Sequence, residues 1–554
     1  MPAPHTKGVP RGQVELRSLT IGSHVSQLGY RDKEALARFL DPKLSDLTSP
    51  HLMKDRVLAA ERLARAVRAK ERIVVFGDYD CDGMTATAIL TDVLRELGAV
   101  VFPLLASRFD GGYGVSERAL VRINSAEPQL VVTCDCGSSD HATLRQLTER
   151  GVDVIVIDHH LVPTEPLPVL AFLNPHRPEC GFAYKGLASC GLALSVAAEL
   201  RKQLNVDLDI RRWLDLVAIG TIADVAPLTG DNRILVRAGL QKLQEGARPG
   251  LRALMDLIGV DRNYPITAAD IGFRIAPRLN APGRLQAPDR AFELMVERDV
   301  ARADQIAHEV EHLCQKRRAE QATINEQALS DLEALGQKPH SAIVVGRQGW
   351  NHGIVGIVAG RLAEQYQAPT IVIGFEGETG RGSVRGPAGF PLFDAIAACS
   401  AHLVRFGGHQ AAAGLELQWD KLAAFRAAFA EACAQRSNYE PPRASEALRV
   451  HPGDQLKELL SDLYLLEPTG EGNAPVRFSI ECSVRACREV RGGHLKLELE
   501  LDSGERVGGF GPGLYEQIRD FKGRAEVIGQ LRPDTYRGGD VVELLVSAVR
   551  PVIL

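Results

Sequence analysis

Four short segments of the sequence contain residues whose types and spacing suit metal chemistry. The first is Gly77-Asp78-Tyr79-Asp80-Cys81-Asp82-Gly83, where aspartates two positions apart can reach one ion from a tight turn. The others contain Asp135, the consecutive Asp158-His159-His160, and Asp224. Carboxylate-rich ligation with some imidazole favours Mn²⁺ or Mg²⁺ over structural zinc. This donor set therefore predicts a site for hard divalent cations.

The charge of these segments indicates the reaction that the site would support. Six carboxylates and two imidazoles at one place repel one another unless cations neutralise them. Two cations about 3.5–4 Å apart activate a water and stabilise the leaving oxygen of a phosphodiester. A single aspartate after a strand is often only a helix N-cap, and Asp78 and Asp158 could instead orient a true ligand. The four segments together favour a two-metal phosphodiester hydrolase.

Short apolar runs precede the acidic segments and predict the strands that position them. The runs 72–76, 130–133 and 154–157 each end at an aspartate and alternate with helical stretches. Short, fully apolar strands between helices indicate a parallel sheet that is covered on both faces. Sites of such sheets lie beyond the carboxyl ends of the strands. We therefore expect the acidic segments to meet at one edge of one sheet.

The chain has 554 residues, which at about 150 residues per domain is too long for a single core. The remaining sequence patterns divide it into several domains. Five alternating segments between 476 and 549 predict a small closed barrel of the OB type, with an open antiparallel sheet as the alternative. The predicted parts are a lead-in (1–48), a first α/β domain (49–230), a helical connector (231–336), a second α/β domain (337–435) and an OB-like β domain (436–554).

Composition limits the class of protein. Hydrophobic residues make up 45% and charged residues 24%, which is ordinary for a soluble globular chain and excludes a fibre or a wholly disordered chain. No apolar run approaches the ~18 residues of a membrane span, and the N-terminus lacks the apolar region of a signal peptide. Ten cysteines without a Cys-x-x-Cys pair favour a reduced, cytoplasmic protein. The net charge of −5 excludes a chain that is basic throughout, but not a local groove for nucleic acid.

The four acidic segments, in this order and spacing, resemble the DHH phosphoesterase superfamily. The segment 407–414, GGHQAAAG, is similar to the GGH motif of the associated DHHA1 domain. With the connector and the OB-like region, the chain most resembles the bacterial RecJ exonucleases within that superfamily, over residues 50 to 550. The resemblance implies a parallel-sheet DHH domain and an α/β DHHA1 domain joined by a helical connector, plus a C-terminal OB-like β-barrel.

The resemblance also implies an activity and partners. It implies hydrolysis of single-stranded DNA from the 5′ end with two divalent cations, Mn²⁺ or Mg²⁺, and release of nucleoside monophosphates. Single-strand-binding protein and a RecQ-type helicase would be partners in DNA repair and recombination, and the enzyme would be a monomer without membrane contact. Two alternatives stay open: a DHH phosphodiesterase for short oligonucleotides or cyclic dinucleotides, and a non-catalytic scaffold that binds single strands. The OB-like region argues against the first, and the intact acidic set argues against the second.

The resemblance assigns metal ligands residue by residue. Asp80 and Asp135 would hold one cation. Asp82, Asp135, His159 and Asp224 would hold the other. Asp135 would therefore bridge the two cations.

His160 is the remaining catalytic candidate, with Asp82 and Asp135. By resemblance it would act beside the scissile phosphate as an electrophile or an acid. Related pyrophosphatases have a histidine four residues before the first metal aspartate, where this chain has Phe76. We expect Asp78 or a water to take the coordination place that this departure leaves.

Four further segments could hold the strand. The loop 107–114 offers an arginine for the scissile phosphate and a tyrosine for stacking on a base. The patch 278–284, with Arg278, Asn280 and Arg284, resembles a further signature of the family. The segments 382–386 and 407–414 resemble its phosphate-binding residues, in which glycines let backbone N–H groups approach a phosphate. We expect the basic run 316–318 to be the solvated face of a connector helix, with the lining of a channel as the alternative. The candidates for substrate binding are Arg108, Tyr113, Arg278, Asn280, Ser383, Arg385 and His409.

Overall fold

The computed structural model describes residues 15–336, 342–408, 412–436, 439, 446–534 and 541–552. Two helices open the described chain, α1 (Leu19–Gln27) and α2 (Lys33–Leu40). Each begins at a side-chain cap, because Ser18 and Asp32 accept hydrogen bonds from backbone N–H groups of the first helical turn. Across the described ranges, no helix is long and apolar enough to cross a membrane.

The first α/β domain contains five parallel strands, which confirms the predicted sheet. The strands are β1 (Arg72–Gly77), β2 (Val100–Leu105), β3 (Leu130–Cys134), β4 (Asp153–Ile157) and β5 (Ala171–Leu173), in the order β2-β1-β3-β4-β5. Its helices are α3 (Arg56–Ala69), α4 (Cys81–Glu96), α5 (Glu117–Ser125), α6 (His141–Glu149), α7 (Ser189–Leu204) and α8 (Leu214–Ala223). Separate apolar clusters cover the two faces of the sheet, so its central strands are buried throughout.

The connector is helical, as predicted. Its helices are α9 (Gly230–Gly246), α10 (Pro249–Leu257), α11 (Ala268–Asp270), α12 (Ala276–Leu279), α13 (Pro282–Leu285), α14 (Asp289–Val296) and α15 (Val300–Ala334), and a π-helical turn (Ile271–Ile275) lies between α11 and α12. Helix α15 has 35 residues, which is about 50 Å at 1.5 Å per residue. Ile306 packs in the core of the first domain and Ile324 in that of the second, so α15 sets the spacing of the two domains.

The second α/β domain is built on a mixed sheet in the order β6-β7-β8-β10-β9. Its strands are β6 (Ile343–Gln348), β7 (Thr370–Glu376), β8 (Thr379–Arg385), β9 (Arg405–Gly408) and β10 (Ala412–Gln418). Its helices are α16 (Val355–Tyr366), α17 (Leu392–Ala397) and α18 (Leu422–Ala434). Strands β6 and β7 pair in parallel, and the other neighbours pair antiparallel.

The C-terminal domain is a closed barrel of the OB type rather than an open sheet. Its elements are β11 (Leu448–Arg449), α19 (Leu456–Leu466), β12 (Phe478–Val490), β13 (His494–Leu501), β14 (Arg506–Gly511), β15 (Gly523–Pro533) and β16 (Val542–Pro551). The strand order is β12-β13-β14-β16-β15, and β12 also pairs with β15. This last pairing closes the barrel and removes its edges.

The N-terminal helices α1 and α2 belong to the core of this barrel domain. Ile21, Val25 and Phe39 are buried among barrel residues. Asp462 of α19 accepts hydrogen bonds from the backbone N of Arg17 (2.9 Å) and of Ser18 (2.8 Å). Helices α1 and α2, which lie in the predicted lead-in, are thus a structural part of a domain that begins more than 400 positions later in the chain.

Arg233 of α9 fastens the barrel domain to the rest of the molecule. Its guanidinium is buried and donates to the carbonyl oxygens of Phe39 (2.9 Å), Leu466 (2.9 Å) and Pro468 (3.2 Å). These carbonyls lie at the ends of α2 and α19, where a cation suits the partial negative charge of a helix C-terminus. The barrel is therefore held beside the connector, and a cavity of ≈ 1540 Å³ lies between them.

Candidate active site

The register of the parallel sheet places three aspartates side by side. Gly77 of β1 pairs with Cys134 of β3, and Cys134 pairs with Ile157 of β4. The next residue of each strand is therefore at the same edge, and these residues are Asp78, Asp135 and Asp158. All three are buried. Asp135 has φ 63°, a left-handed conformation that is uncommon outside glycine and concentrated at functional sites.

Two further aspartates enter from the start of α4. Asp80 is the N-cap of α4, and its Oδ1 accepts from the backbone N of Asp82 at 3.0 Å. Asp82 lies in the first turn, where Ser189 N donates to its Oδ2 (2.7 Å) and Cys190 N to its Oδ1 (2.9 Å). These donors are the first residues of α7, so the N-terminus of that helix stabilises the charge of Asp82. The hydroxyl of Ser189 also donates to Asp135 Oδ1 at 3.0 Å.

His159 and Asp224 complete the cluster. His159 Nε2 lies 3.2 Å from Asp135 Oδ1, 3.5 Å from Asp224 Oδ2 and 3.8 Å from Asp82 Oδ2. Asp224 is the C-cap of α8, which brings it to the sheet edge although it follows a helix and not a strand. We call Asp78, Asp80, Asp82, Asp135, His159 and Asp224 the acidic cluster.

The ligand atoms of the acidic cluster form sets compact enough for cations. Three sets have atoms within 4.8 Å of one another: Asp78, Asp80 and Asp135; Asp82, His159 and Asp224; and Asp135, His159 and His160. Asp78 Oδ1 and His159 Nε2 are buried and lack a hydrogen-bond partner among the described residues. Buried polar atoms are normally satisfied, so unpaired ligand atoms in a carboxylate-rich set fit divalent metal ions.

The pKa values of the buried carboxyls also indicate a site for cations. Burial and the charges of Asp82 and Asp80 raise the pKa of Asp224 to about 8 and hold the pKa of Asp135 well above its ordinary value. Burial and the charge of Asp80 likewise raise the pKa of Asp78. Without cations, these carboxyls therefore resist ionisation at neutral pH.

His160 is oriented by Asp158, which makes Asp158 a positioning residue rather than a ligand. Asp158 Oδ1 lies 2.8 Å from His160 Nδ1 and also accepts from the backbone N of His159 and of His160. Burial disfavours the imidazolium, but the hydrogen bond and charge of Asp158 outweigh it and raise the pKa of His160 to about 9. In the cation-free site, Asp158 therefore favours the imidazolium form of His160. The hydroxyl of Tyr113 donates to Asp135 O at 3.1 Å and lies 3.1 Å from His160 Nδ1.

Phe76 takes no part in the site. It is fully buried in the apolar cluster on one face of the sheet, with Val74 and Val131. The unpartnered carboxylate oxygen of Asp78, two residues later, lies in the ligand set of Asp80 and Asp135. Asp78 is therefore the protein group available for the place that the departure at Phe76 leaves.

Four arginines meet beside the acidic cluster, and we call Arg108, Arg284, Arg317 and Arg385 the arginine cluster. They come from the loop after β2, from α13, from α15 and from the end of β8. Burial and the charges of the other three lower the pKa of Arg284 to about 10, so the guanidinium groups are close enough to repel. Arg108 stacks on the ring of Tyr79 at 3.9 Å, and its charge opposes part of the rise in the pKa of Asp78, which places it between the two clusters.

None of the four arginines forms an ion pair with a carboxylate among the described residues. The hydrogen bonds of Arg284, Arg317 and Arg385 in these ranges reach neutral acceptors: Gly353 O, the side chains of Gln321 and Cys314, and Ser383 Oγ with Val384 O. The Nε atoms of Arg108 and Arg317 are buried without a partner in the same ranges. Partly buried cations that lack an ion pair form a site for an anion, and guanidinium forks match the oxygens of a phosphate.

The predicted substrate residues do not all lie in the arginine cluster. Ser383 bonds to Arg385 in the arginine cluster, and Asn280 lines the cavity beside the barrel. Arg278, in contrast, points away from the cluster, because its Nε is paired with Glu311 at 2.6 Å. His409 lies outside the described residues.

Sequence reasoning missed one contributor and misjudged another. Ser189, which positions Asp82 and Asp135, starts α7 without any motif that marks it. Arg284 was named with Arg278 and Asn280 in the patch 278–284, but the sequence did not indicate which of its two arginines joins the arginine cluster. The expectation that the run 316–318 is solvated is wrong for Arg317, which is 8% exposed, and holds for its two neighbours. A run of consecutive charged residues does not by itself indicate which of them is buried when the helix packs.

Comparisons with known proteins agree with this architecture. Family models match residues 72–221 (DHH family, N-terminal domain), 340–435 (DHHA1 domain) and 448–548 (RecJ OB domain). The single-stranded-DNA-specific exonuclease RecJ of Bacillus subtilis (strain 168) is 32% identical over 551 residues, which is 97% of this chain and 69% of that protein. The chain belongs to the RecJ family.

Solved RecJ structures match the whole of this RecJ-family chain. RecJ of Thermus thermophilus in complex with Mn²⁺ gives a TM-score of 0.81 at 31% identity and covers 100% of this chain and 79% of that one. The same protein in complex with Mg²⁺ gives a TM-score of 0.76 at 28% identity, with coverages of 100% and 78%. The carboxylate and imidazole donors of the acidic cluster suit both of these cations.

Proposed function

We propose that this chain is a metal-dependent exonuclease that hydrolyses single-stranded DNA from its 5′ end and releases nucleoside monophosphates. The observation that carries the proposal is the arrangement of two clusters of opposite charge. Asp135 is shared by two compact ligand sets, and Arg108 links those sets to the three other arginines of the arginine cluster. One cluster suits cations and the other suits phosphate, which are the requirements of phosphodiester hydrolysis.

The compact ligand sets support the assignment that the family implies. Asp80 and Asp135, with Asp78 adjacent, would hold one cation. Asp82, His159 and Asp224, with Asp135 Oδ1 3.2 Å from His159 Nε2, would hold the other. When bound, the cations neutralise phosphate charge and make a nearby water more acidic. Asp82 and Asp135 keep their positions because the first turn of α7 donates to both.

His160 supplies the proton that the leaving group requires. The oxygen of a water forms a bond to phosphorus, and the bond from phosphorus to the 3′ oxygen of the terminal nucleotide breaks. That 3′ oxygen takes a proton from the imidazolium of His160, which Asp158 keeps charged and oriented. The products are a nucleoside 5′-monophosphate and a strand shortened by one nucleotide.

The arginine cluster sets the direction of digestion. A terminal monophosphate has more charge than an internal diester, and charge-assisted hydrogen bonds from arginine favour it. Ser383 and Arg385 provide this pocket on one side of the acidic cluster, with His409 as a further candidate. A 5′-terminal phosphate held there leaves the first phosphodiester at the metals.

The barrel domain contributes affinity rather than chemistry in this proposal. It lies across the cavity from the C-terminal end of α8, the helix that Asp224 caps, and has the fold that binds single strands through base-tolerant contacts. As a monomer in the cytoplasm, the enzyme would act in DNA repair and recombination with single-strand-binding protein and a RecQ-type helicase.

Digestion of end-labelled strands tests the proposal. Strands labelled at the 5′ or the 3′ end are incubated with and without Mn²⁺, and products are resolved over time. The 5′ label should appear in mononucleotides at once, while the 3′ label should shorten gradually. Early release of the 3′ label, or equal digestion without any divalent cation, would contradict it.

A further inference from the structure

Three glycines form a path of close contacts between the acidic cluster and the arginine cluster. They are Gly283 in α13, Gly353 in the turn before α16, and Gly356 in the first turn of α16. Their φ angles lie outside the left-handed region, so the backbone conformation does not require glycine at any of them. Each is instead a place where a neighbouring group leaves little or no room for a Cβ atom.

Gly283 lets α13 approach the backbone of the acidic cluster. A Cβ atom at Gly283 would lie 3.1 Å from the carbonyl oxygen of Tyr79 and 3.4 Å from the Cβ of Pro288. Tyr79 stands between Asp78 and Asp80, two members of the acidic cluster. The connector therefore packs closely against the segment that positions these two carboxylates.

Gly353 lets the second α/β domain approach the same short helix. A Cβ atom at Gly353 would overlap the carbonyl oxygen of Arg284 and lie 2.8 Å from its carbonyl carbon. On its own side the turn is held firmly, because Gly353 N donates to the side chain of Asn351 at 2.8 Å and Ile354 is fully buried. Leu285, which follows Arg284, packs against the same apolar cluster as Ile354. Both sides of this contact are thus held in place by packing.

Gly356 extends the path to the residues proposed for the terminal phosphate. A Cβ atom at Gly356 would lie 2.9 Å from Ser383 Oγ and 3.5 Å from Arg385 Nη2. Ser383 and Arg385 belong to the end of β8, where Arg385 Nη1 donates to Ser383 Oγ at 3.0 Å. Close contacts therefore connect the acidic cluster to this pocket through α13 and the start of α16.

Packing along this path fixes the distance between pocket and acidic cluster. Close-packed groups cannot accommodate an added methyl group without moving apart. Release of one nucleotide at each step requires that a bound terminal phosphate leaves the first phosphodiester, and no other, at the acidic cluster. An error of about 1 Å in such positioning can lower a rate on the order of 100-fold. The distance is therefore a property on which turnover depends.

We propose that Gly283, Gly353 and Gly356 are positioning residues that set the spacing between the terminal-phosphate pocket and the acidic cluster to one nucleotide. The inference rests on the proposed function, because it takes Ser383 and Arg385 as that pocket and the acidic cluster as the place of hydrolysis. A methyl group on the path should move the pocket relative to the acidic cluster without changing a side chain of either. The strand then still binds through its terminal phosphate, but its first phosphodiester lies out of place.

The test separates strand binding from turnover in Gly353→Ala. Kd for 5′-phosphorylated and 5′-hydroxyl oligodeoxythymidylates is measured by fluorescence anisotropy without a divalent cation, and single-turnover rates are measured with saturating Mn²⁺. The ratio of the two Kd values should stay within about threefold of the wild-type ratio, because the pocket is intact. The rate on the phosphorylated strand should fall about 10- to 100-fold, because the bound strand is misplaced. The rate on the hydroxyl strand, which the pocket does not hold, should fall less.

Two further glycine variants complete the series. Gly283→Ala should lower the same rate by a smaller factor, since its contacts need to give by only a few tenths of an ångström. Gly246→Ala is the matched control, because this residue ends α9 and no described residue beyond its own helix and chain neighbours lies within 4 Å of a Cβ placed there. It should behave as wild type.

A folded Gly353→Ala protein with the wild-type rate on the phosphorylated strand would overturn the inference. Loss of the Kd ratio together with the rate would also overturn it, because the pocket itself would then be damaged. If Gly353→Ala folds poorly, Gly283→Ala decides, and an unchanged rate contradicts the proposal. Failure of the proposed function has a different signature, since wild type would then release no mononucleotides or show no preference for the phosphorylated strand.

Discussion

The acidic cluster and the arginine cluster lie side by side but are assembled differently. Every member of the acidic cluster lies between residues 78 and 224, within one domain, and the register of one sheet sets its geometry. The arginine cluster draws on residues from 108 to 385, and it exists only because the connector holds two α/β domains together. Chemistry is thus local to one domain, whereas recognition of the substrate depends on how the domains are assembled.

Both clusters hold like charges that burial makes unfavourable. The carboxyls respond with raised pKa values, and Arg284 responds with a lowered one. In each case a ligand of opposite charge relieves the repulsion. The comparison predicts that variants in the acidic cluster lose the reaction itself, and that variants in the arginine cluster lose substrate binding and polarity.

The largest effect is expected from Asp135→Asn, which removes the carboxylate shared by two ligand sets. Single-turnover cleavage should fall on the order of 10³-fold, because both cations lose a ligand, while strand binding changes little. Asp110→Asn is the control, since Asp110 pairs with Arg118 outside the acidic cluster. Turnover within tenfold of wild type by folded Asp135→Asn protein would reject the shared-ligand assignment.

Variants of Arg284 and Arg278 separate effects on substrate binding from effects on protein stability. Arg284→Gln keeps a donor for Gly353 O but removes a cation that three others repel, so thermal stability should be unchanged or higher. KM for single strands should rise about 10- to 100-fold, the effect of one charge-assisted hydrogen bond.

Arg278→Gln should lower the thermal stability and leave KM unchanged. It leaves the partly buried carboxylate of Glu311 without its ion-pair partner, although Gln315 Nε2 still donates to it at 3.2 Å. This change costs on the order of 3 kcal/mol of folding free energy. Melting curves and steady-state kinetics on the same four samples, the two single variants, the double variant and wild type, give both quantities. If Arg278→Gln raised KM as much as Arg284→Gln, the orientation assigned to the two arginines would be incorrect.

Cation binding should release protons, a smaller but more specific effect. The pKa of Asp224 is raised to about 8, so at pH 7 this carboxyl is mostly protonated until a cation displaces the proton. The affinity for Mn²⁺ should therefore increase as pH rises from 6 to 9. Calorimetric titrations in two buffers of different ionisation enthalpy count the protons released. Asp224→Asn should release fewer, and absence of release from wild type at pH 7 would show that the cluster is already ionised.

The two clusters also differ in how far the sequence alone predicted them. The aspartates after β1, β3 and β4 were predictable, because apolar strands of a parallel sheet end at one edge and the motifs are contiguous. Arg284 and Arg317 were not predictable as partners, because their meeting depends on the path of α13 and α15. The pairing of Arg278 with Glu311 was not predictable for the same reason, since the sequence of the patch 278–284 does not indicate which arginine faces the site.

The barrel domain shows the same difference between elements that the local sequence predicts and contacts that it does not predict. Its strands alternate with period two, and the five strands β12 to β16 lie between 478 and 551, close to the predicted range of 476 to 549. The packing of α1 and α2 into its core was not apparent, because no local pattern relates Ile21 or Phe39 to a barrel more than 400 residues away. Local periodicity predicts elements, and contacts between distant segments require the structure.

The central claim is that the arginine cluster binds the terminal phosphate and so sets polarity, while the acidic cluster performs hydrolysis. The most direct test compares digestion of 5′-phosphorylated and 5′-hydroxyl strands by wild type and Arg385→Ala, with the cation saturating. Wild type should prefer the phosphorylated strand by about 10- to 100-fold. Arg385→Ala should lose most of that preference and still digest the hydroxyl strand at close to the wild-type rate. An equal loss of rate on both strands, with the preference retained, would contradict the claim.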